Sequence, residues 1–178
     1  MVSKPLYRTQ RGFSLMEVLV SVIVLSIGLL GLGGLQMTSL KGSNNAHFRT
    51  VASLAATDLA DRMRANPIAV AAAHYESAYV LATCKNPPEK LCESTVLCTP
   101  EELADYDVFR VNCGVSDDGF QTGGAQYDLP EAFMSVSCAS ATCTSGIEHT
   151  IEVRWNEADD SDADNKVQQR TYELDFVP

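Results

Sequence analysis

Basic side chains are scarce in the second half of this chain. From residue 85 to the end, 6 Lys and Arg residues stand against 19 Asp and Glu residues, a net charge of −13. Nucleic-acid binding depends on clustered basic side chains that neutralise phosphates. The composition therefore argues against nucleic acid as the main partner, and it predicts an acidic body that lies in water.

The sequence also lacks the usual motifs of enzyme active sites. Its 3 histidines are far apart, and no G-x-S-x-G or C-x-x-C motif occurs. Asp160, Asp162 and Asp164 have the opening spacing of a calcium loop, but the glycine and the final glutamate of such a loop are missing. We predict that the protein is not an enzyme and has no cofactor, with calcium binding kept as an alternative to an acidic turn.

A long stretch near the N-terminus has no charge. Residues 18–35 are uncharged and mostly apolar, and about 20 helical residues cross the ~30 Å hydrocarbon core of a bilayer. A cleaved secretory signal has a shorter apolar core that ends in an A-x-A-like site, and no such site follows here. Lys4, Arg8 and Arg11 precede the stretch, so we expect the N-terminus to stay cytoplasmic while the body crosses the membrane.

All 6 cysteines lie in the acidic part of the chain. An even number of cysteines after a membrane signal predicts disulfides in an oxidising compartment. The sequence does not select among the possible pairings. The candidates are Cys84, Cys92, Cys98, Cys113, Cys138 and Cys143.

One carboxylate, Glu17, lies at the beginning of the apolar segment. A charge inside a bilayer is costly unless it is paired or lies near the interface. We expect its partner to be the α-amine that cleavage between Gly12 and Phe13 would create, about one helical turn away in the same chain. Staggered neighbouring helices would pair the amine of one chain with Glu17 of the next. The alternative is that Glu17 lies among the lipid headgroups.

The run from Arg11 to Val18, RGFSLMEV, closely resembles the prepilin cleavage and methylation motif of type IV pilins and type II secretion pseudopilins. The resemblance implies that a membrane-embedded prepilin peptidase cuts after Gly12 and methylates Phe13. It also implies that Glu17 acts in assembly.

Four glycines, Gly28, Gly31, Gly33 and Gly34, lie in the second half of the apolar run. Each costs about 1 kcal/mol of helix propensity relative to alanine. They either allow close helix packing in lipid or mark a stretch that unwinds in the filament, as the corresponding region does in assembled pilins. Both interpretations stay open.

A helical pattern continues to Asn66, where Pro67 is expected to end it. The alanine-rich residues 67–83 are expected to contain a second short helix. Thr99, Pro100 and Glu102 form a capping box that predicts a helix over 100–106. The apolar face of the long helix is predicted to contain Phe48, Val51, Leu54, Ala55, Leu59 and Met63. Leu103 and Tyr106 should face inward from the later helix.

The last third of the chain alternates between apolar and polar residues, which predicts an antiparallel meander with one wet face. A sheet packed on the amphipathic half of a long helix is a pilin-like α+β fold. The residues predicted to share the inner face are Met134, Val136 and Cys138 in one strand, Ile151, Val153 and Trp155 in the next, and Tyr172, Leu174 and Phe176 in the last.

Three features of the body look like PilV-type minor pilins: the run 61–67, the helix start at 98–100, and the strand 151–155. The resemblance implies a low-abundance subunit that helps to prime pilus assembly at or near the tip. Its partners would be prepilin peptidase, other minor pilins, the major pilin and a tip adhesin. The 6 cysteines depart from the single C-terminal bridged loop of major pilins.

The expected organisation is a leader at 1–12, a transmembrane and assembly helix at 13–35, an amphipathic helix at 36–66, and a disulfide-containing head at 67–178. The protein would span the inner membrane once, with its body in the periplasm, before entering an extracellular pilus. The alternatives are a minor pseudopilin of a type II secretion system and, more distantly, a membrane-anchored periplasmic enzyme.

Overall fold

The computed structural model describes residues 12–93, 95–117, 120–140, 143, 146–158 and 167–178. The chain divides into two compact units, Met1–Gly42 and Ser43–Pro178. Residues 1–11 of the predicted leader lie outside the described residues, as do Asp160, Asp162 and Asp164 of the predicted acidic turn.

Helix α1 (Leu15–Ala65) begins in the first unit, where the carbonyl of Ser14 accepts the N–H groups of Glu17 and Val18 at 3.0 and 3.3 Å. Residues 15–42 are helical throughout, including the four glycines of the apolar run. An 18-residue window has a mean hydropathy of 2.5, and none of it is buried within the chain. By length and composition this helix can cross a membrane.

In the second unit, α1 buries a row of alanines spaced four residues apart: Ala52, Ala56 and Ala60. Leu59 and Met63 are buried beside them, as predicted. The placement of Leu54 on this face was wrong, because its side chain is 64% exposed. Leu54 is two residues from Ala52, which puts it on the opposite side of a helix with 3.6 residues per turn. Alanine on the inner side allows the helix axis to approach the sheet closely.

A short helix follows α1 directly. Helix α2 (Pro67–Ala71) has Pro67 in its first turn and Asn66 as its N-cap, and it confirms the second helix predicted for this region. Strand β1 (Ser77–Val80) and a 3-10 turn (Leu81–Lys85) occupy most of the remaining alanine-rich stretch. The strand was not predicted.

Helix α3 (Pro100–Cys113) begins at the predicted capping box. The Glu102 N–H donates to the Thr99 hydroxyl at 3.2 Å, and the Thr99 N–H donates to the Glu102 carboxylate at 2.7 Å. The helix does not end at 106 as predicted but continues to Cys113, with Phe109 and Val111 in its buried last turns. Tyr106 is buried as predicted, while Leu103 is only half-buried.

A small hairpin and a single helical turn connect α3 to the main sheet. They are β2 (Val115–Asp117), β3 (Phe120–Thr122) and α4 (Ala125–Asp128). Gly124 before α4 has a φ of +86°, and a Cβ there would collide with the backbone of Gly114 and Cys113. Glycine is therefore required where this connection passes the end of α3.

The main sheet has four antiparallel strands in the order β1-β4-β5-β6. Strands β4 (Phe133–Cys138), β5 (His149–Ala158) and β6 (Val167–Phe176) form the predicted meander. Its inner face joins the buried side of α1 in one core cluster, which includes Met134, Ile151 and Trp155. The predicted α+β fold, a long N-terminal helix packed on an antiparallel sheet, is confirmed.

Candidate processing and assembly site

The Gly12–Phe13 junction lies in non-helical backbone just before α1 begins. Apart from its chain neighbours, no described residue has an atom within 4 Å of the position that a Gly12 Cβ would occupy, and Phe13 is 84% exposed. A peptidase must surround an extended backbone to hydrolyse it. Residues 12–14 are non-helical and exposed, so their backbone is open to an incoming peptidase.

Glu17 lies in the first turn of α1. Its N–H bonds to the Ser14 carbonyl, and its side chain is exposed. Within the described part of the chain, no side chain forms an ion pair with this carboxylate. The positive end of the helix dipole favours a negative charge here, but a carboxylate in lipid needs a full counter-charge. An amine at Phe13, one turn earlier, would lie at the same end of the helix.

The apolar part of α1 satisfies its own polar groups. Ser21 and Ser26 donate to helix carbonyls at 2.6 and 2.7 Å, and Thr38 donates to the Leu35 carbonyl at 2.9 Å. Such internal bonds lower the cost of placing hydroxyls in hydrocarbon. Gly33 and Gly34 line an apolar groove on this helix, beside leucine and methionine side chains. Gly28 and Gly31 lie outside that groove, and all four have open space where a Cβ would be.

The run 61–67, picked out in the sequence, helps to build a buried polar cluster around Asp107 of α3. Arg62 Nη1 donates to Asp107 Oδ1 at 2.9 Å, and the Tyr75 hydroxyl donates to Asp107 Oδ2 at 2.7 Å. Only 6% of the Asp107 side chain is exposed. Both carboxylate oxygens are therefore satisfied, which buried charge requires.

Protonation in this cluster favours the observed bonds. Burial raises the pKa of Tyr75, and the Asp107 carboxylate raises it further, so the phenol stays a donor. Burial alone would lower the pKa of Arg62, but hydrogen bonds to Asp107 and Asp58 raise it overall. The arginine therefore stays charged next to its two carboxylates.

Asn66 connects three elements at the end of α1. Its Nδ2 donates to the Pro100 carbonyl at 2.8 Å and contacts the Tyr75 hydroxyl at 3.3 Å, while its Oδ1 accepts from the Ala69 N–H at 3.5 Å. Sequence reasoning singled out Asn66 within its run but did not find Tyr75 or Asp107. Their contacts join residues 32 and 45 positions apart, for which a single sequence has no local signal.

The structure pairs the six candidate cysteines as Cys84–Cys113, Cys92–Cys98 and Cys138–Cys143. The first bridge ties the 3-10 turn to the end of α3. The other two close short loops before α3 and after β4. Glu76 lies near the sulfurs of the last bridge, but bridged sulfurs are not thiolate ligands, so this group does not form a metal site.

Two matches with known families cover adjoining parts of the chain. The prokaryotic N-terminal methylation motif matches residues 7–33, and the family described as type IV pilin Tt1218 matches residues 34–109. No curated protein and no solved structure matches. The first match contains the Gly12–Phe13 junction and Glu17, and the second contains the Asp107 cluster. With the fold, these matches support a type IV pilin that carries the prepilin N-methylation motif.

Proposed function

We propose that this type IV pilin is a minor subunit of the PilV type, which helps to prime pilus assembly and lies near the filament tip. The disulfide pattern is the observation that carries the proposal. Three bridges tie the head between residues 84 and 143, and the cysteines leave β5 and β6 unbridged. Major pilins, by the resemblance noted above, instead have one bridged loop at the C-terminus.

Processing would begin in the inner membrane. Prepilin peptidase hydrolyses the Gly12–Phe13 peptide bond, removes the leader at 1–12 and methylates the new amine of Phe13. The exposure of this junction and its non-helical backbone support this step. The segment 13–35 then holds the subunit in the bilayer, residues 36–66 join it to the head, and the head at 67–178 lies in the periplasm.

Assembly would use the same helix. The Phe13 amine of one subunit pairs with Glu17 of its neighbour, and that pairing fixes the stagger between subunits because either charge alone is costly in an apolar bundle. Glycines at 28, 31, 33 and 34 either let the helices pack closely or allow local unwinding. Partners are other minor pilins, the major pilin and a tip adhesin, first in the inner membrane and then in an extracellular pilus.

Deletion of the gene tests the assignment. We expect the deletion strain to carry far fewer pili than wild type, counted by electron microscopy, because a priming subunit is needed to start each filament. Quantitative mass spectrometry of sheared wild-type pili should find the protein at a small fraction of the major pilin. A strain complemented with the wild-type gene is the matched control.

Two results would contradict the minor-pilin assignment. The first is normal piliation in the deletion strain together with a loss of protein secretion, which indicates a pseudopilin. The second is an amount in sheared pili equal to that of the major pilin, which indicates the filament's main subunit.

A further inference from the structure

Strand β6 forms one edge of the main sheet and pairs with β5 over ten consecutive residues. The Ala139 N–H donates to the Glu148 carbonyl at 3.0 Å, so the even-numbered residues of β5 bond to β4. Backbone groups of successive residues point to opposite sides of an antiparallel strand, so the odd-numbered residues of β5 bond to β6. Their partners in the register are the even-numbered residues of β6. The outward-pointing N–H and C=O groups belong to Val167, Gln169, Thr171, Glu173 and Asp175.

The opposite edge of the same sheet, strand β1, is covered by the chain at one of its outward positions. Strand β1 has only four residues, and by the same alternation Val80 points outward. Its N–H donates to the Thr83 hydroxyl at 3.2 Å, and that hydroxyl donates back to the Val80 carbonyl. The described residues offer no such cover to Gln169, Thr171 or Glu173. Strand β6 also has no proline, glycine or interruption in its register, features that commonly protect an edge.

A cleft beside this edge contains an arginine that forms no ion pair with a described carboxylate. It is lined by Arg49 of α1 together with Gln169, Arg170, Thr171 and Tyr172 of β6 and by Trp155. Arg170 is already paired with buried Glu157 at 3.2 Å. The described arginines with carboxylate partners within 3.5 Å are Arg62, Arg64, Arg110, Arg154 and Arg170. Arg49 forms no ion pair with any described residue, although acidic residues outnumber basic ones in this body.

We propose that the β6 edge and Arg49 form a docking surface for an extended, carboxylate-bearing segment of another protein chain. The segment adds to the sheet as a fifth strand next to β6, and an Asp or Glu side chain on its inner face binds Arg49. Only an extended backbone satisfies alternating N–H and C=O groups along an edge. A carboxylate is the acceptor that matches a guanidinium in a fork. This surface does not depend on the minor-pilin assignment.

The test uses the full-length chain in detergent micelles and a labelled synthetic peptide of alternating threonine and valine with one central glutamate. Fluorescence anisotropy should show that this peptide binds about tenfold more tightly than its central-lysine counterpart. Hydrogen exchange should show new protection at the amides of Gln169, Thr171 and Glu173. The amides of Arg170, Tyr172 and Leu174, which already bond to β5, should not change.

Two pairs of variants separate the backbone from the charge. Thr171→Pro removes an outward N–H and should abolish binding, whereas Ala78→Pro, an outward position on β1, should not. Arg49→Gln should remove the preference for glutamate, whereas Lys85→Gln, a change of equal charge elsewhere in the body, should keep it. Circular dichroism checks that each variant is folded. If a proline variant does not fold, the hydrogen-exchange pattern of the wild-type chain still tests the proposal.

Several results would overturn the proposal. Failure of the wild-type chain to bind the glutamate peptide is one, and protection of amides away from β6 is another. Equal binding of the glutamate and lysine peptides would remove the role of Arg49. Self-association of the chain that protects the same outward amides without peptide would show that a second copy, not a different chain, covers this edge.

Discussion

Replacing Glu17 with alanine is expected to leave membrane insertion and cleavage intact and to remove the protein from sheared pili. In the proposed pathway, insertion depends on the apolar run and the basic residues before it, and cleavage depends on the exposed Gly12–Phe13 junction. Assembly, under the proposed pairing, instead needs the Glu17 carboxylate as the partner of a neighbour's amine. Leaving one charge of a buried pair alone costs about 3–5 kcal/mol, which corresponds to more than about a hundredfold loss of incorporation.

Immunoblots of membranes and of sheared pili measure this effect. Ser21→Ala is the matched control on the same helix, because the Ser21 hydroxyl bonds only to the Glu17 carbonyl within the helix and should be dispensable. Glu17→Asp keeps the charge on a shorter side chain and should restore part of the incorporation. Wild-type amounts of the Glu17→Ala protein in sheared pili would contradict the proposed pairing.

Replacing Asp107 with alanine is expected to destabilise the head by about 3 kcal/mol, because it leaves Arg62 and the Tyr75 hydroxyl without their shared partner. We take the lower end of the usual range, since Arg62 is partly exposed and keeps Asp58 at 3.0 Å. For a chain of this size the melting temperature should fall by roughly 6–12 °C. Circular dichroism of the full chain in detergent measures it.

The chain offers a matched control for this change. Asp61 and Arg64 form an ion pair of similar length, 2.8 Å, but their side chains are 67% and 48% exposed. Exposed pairs contribute at most about 1 kcal/mol, so Asp61→Ala should lower the melting temperature little. If Asp107→Ala and Asp61→Ala have the same small effect, the buried cluster does not hold α1 and α3 together.

Periodicity predicted the parts of the fold whose signal is local. Alternation gave the inner face of the meander, and the Thr99–Glu102 box gave the start of α3. The strand β1 was missed because its residues lie in an alanine-rich stretch and its pairing with β4 joins positions more than 50 residues apart. The end of α3 was placed too early because the next residue, Asp107, is charged and yet buried. Its partners, Arg62 and Tyr75, lie 45 and 32 positions away in the sequence.

The same distinction applies to the candidate site. Gly12, Phe13 and Glu17 lie within one short motif that the sequence shows directly, so they could be proposed as a site from the sequence alone. The disulfide pairing and the Asp107 cluster depend on the folded chain. The error at Leu54 has a similar cause: the helix uses the small alanines at 52, 56 and 60 to approach the sheet, whereas an apolar pattern gives more weight to large side chains.

The intact mass of the mature protein, purified from the membrane of a strain with active prepilin peptidase, tests the central claim most directly. We predict a chain that has lost residues 1–12 and carries one methyl group on the amine of Phe13. Purification from a strain without the peptidase should give the full-length, unmethylated chain. Retention of the leader in the presence of active peptidase, or cleavage at a different residue, would contradict the account.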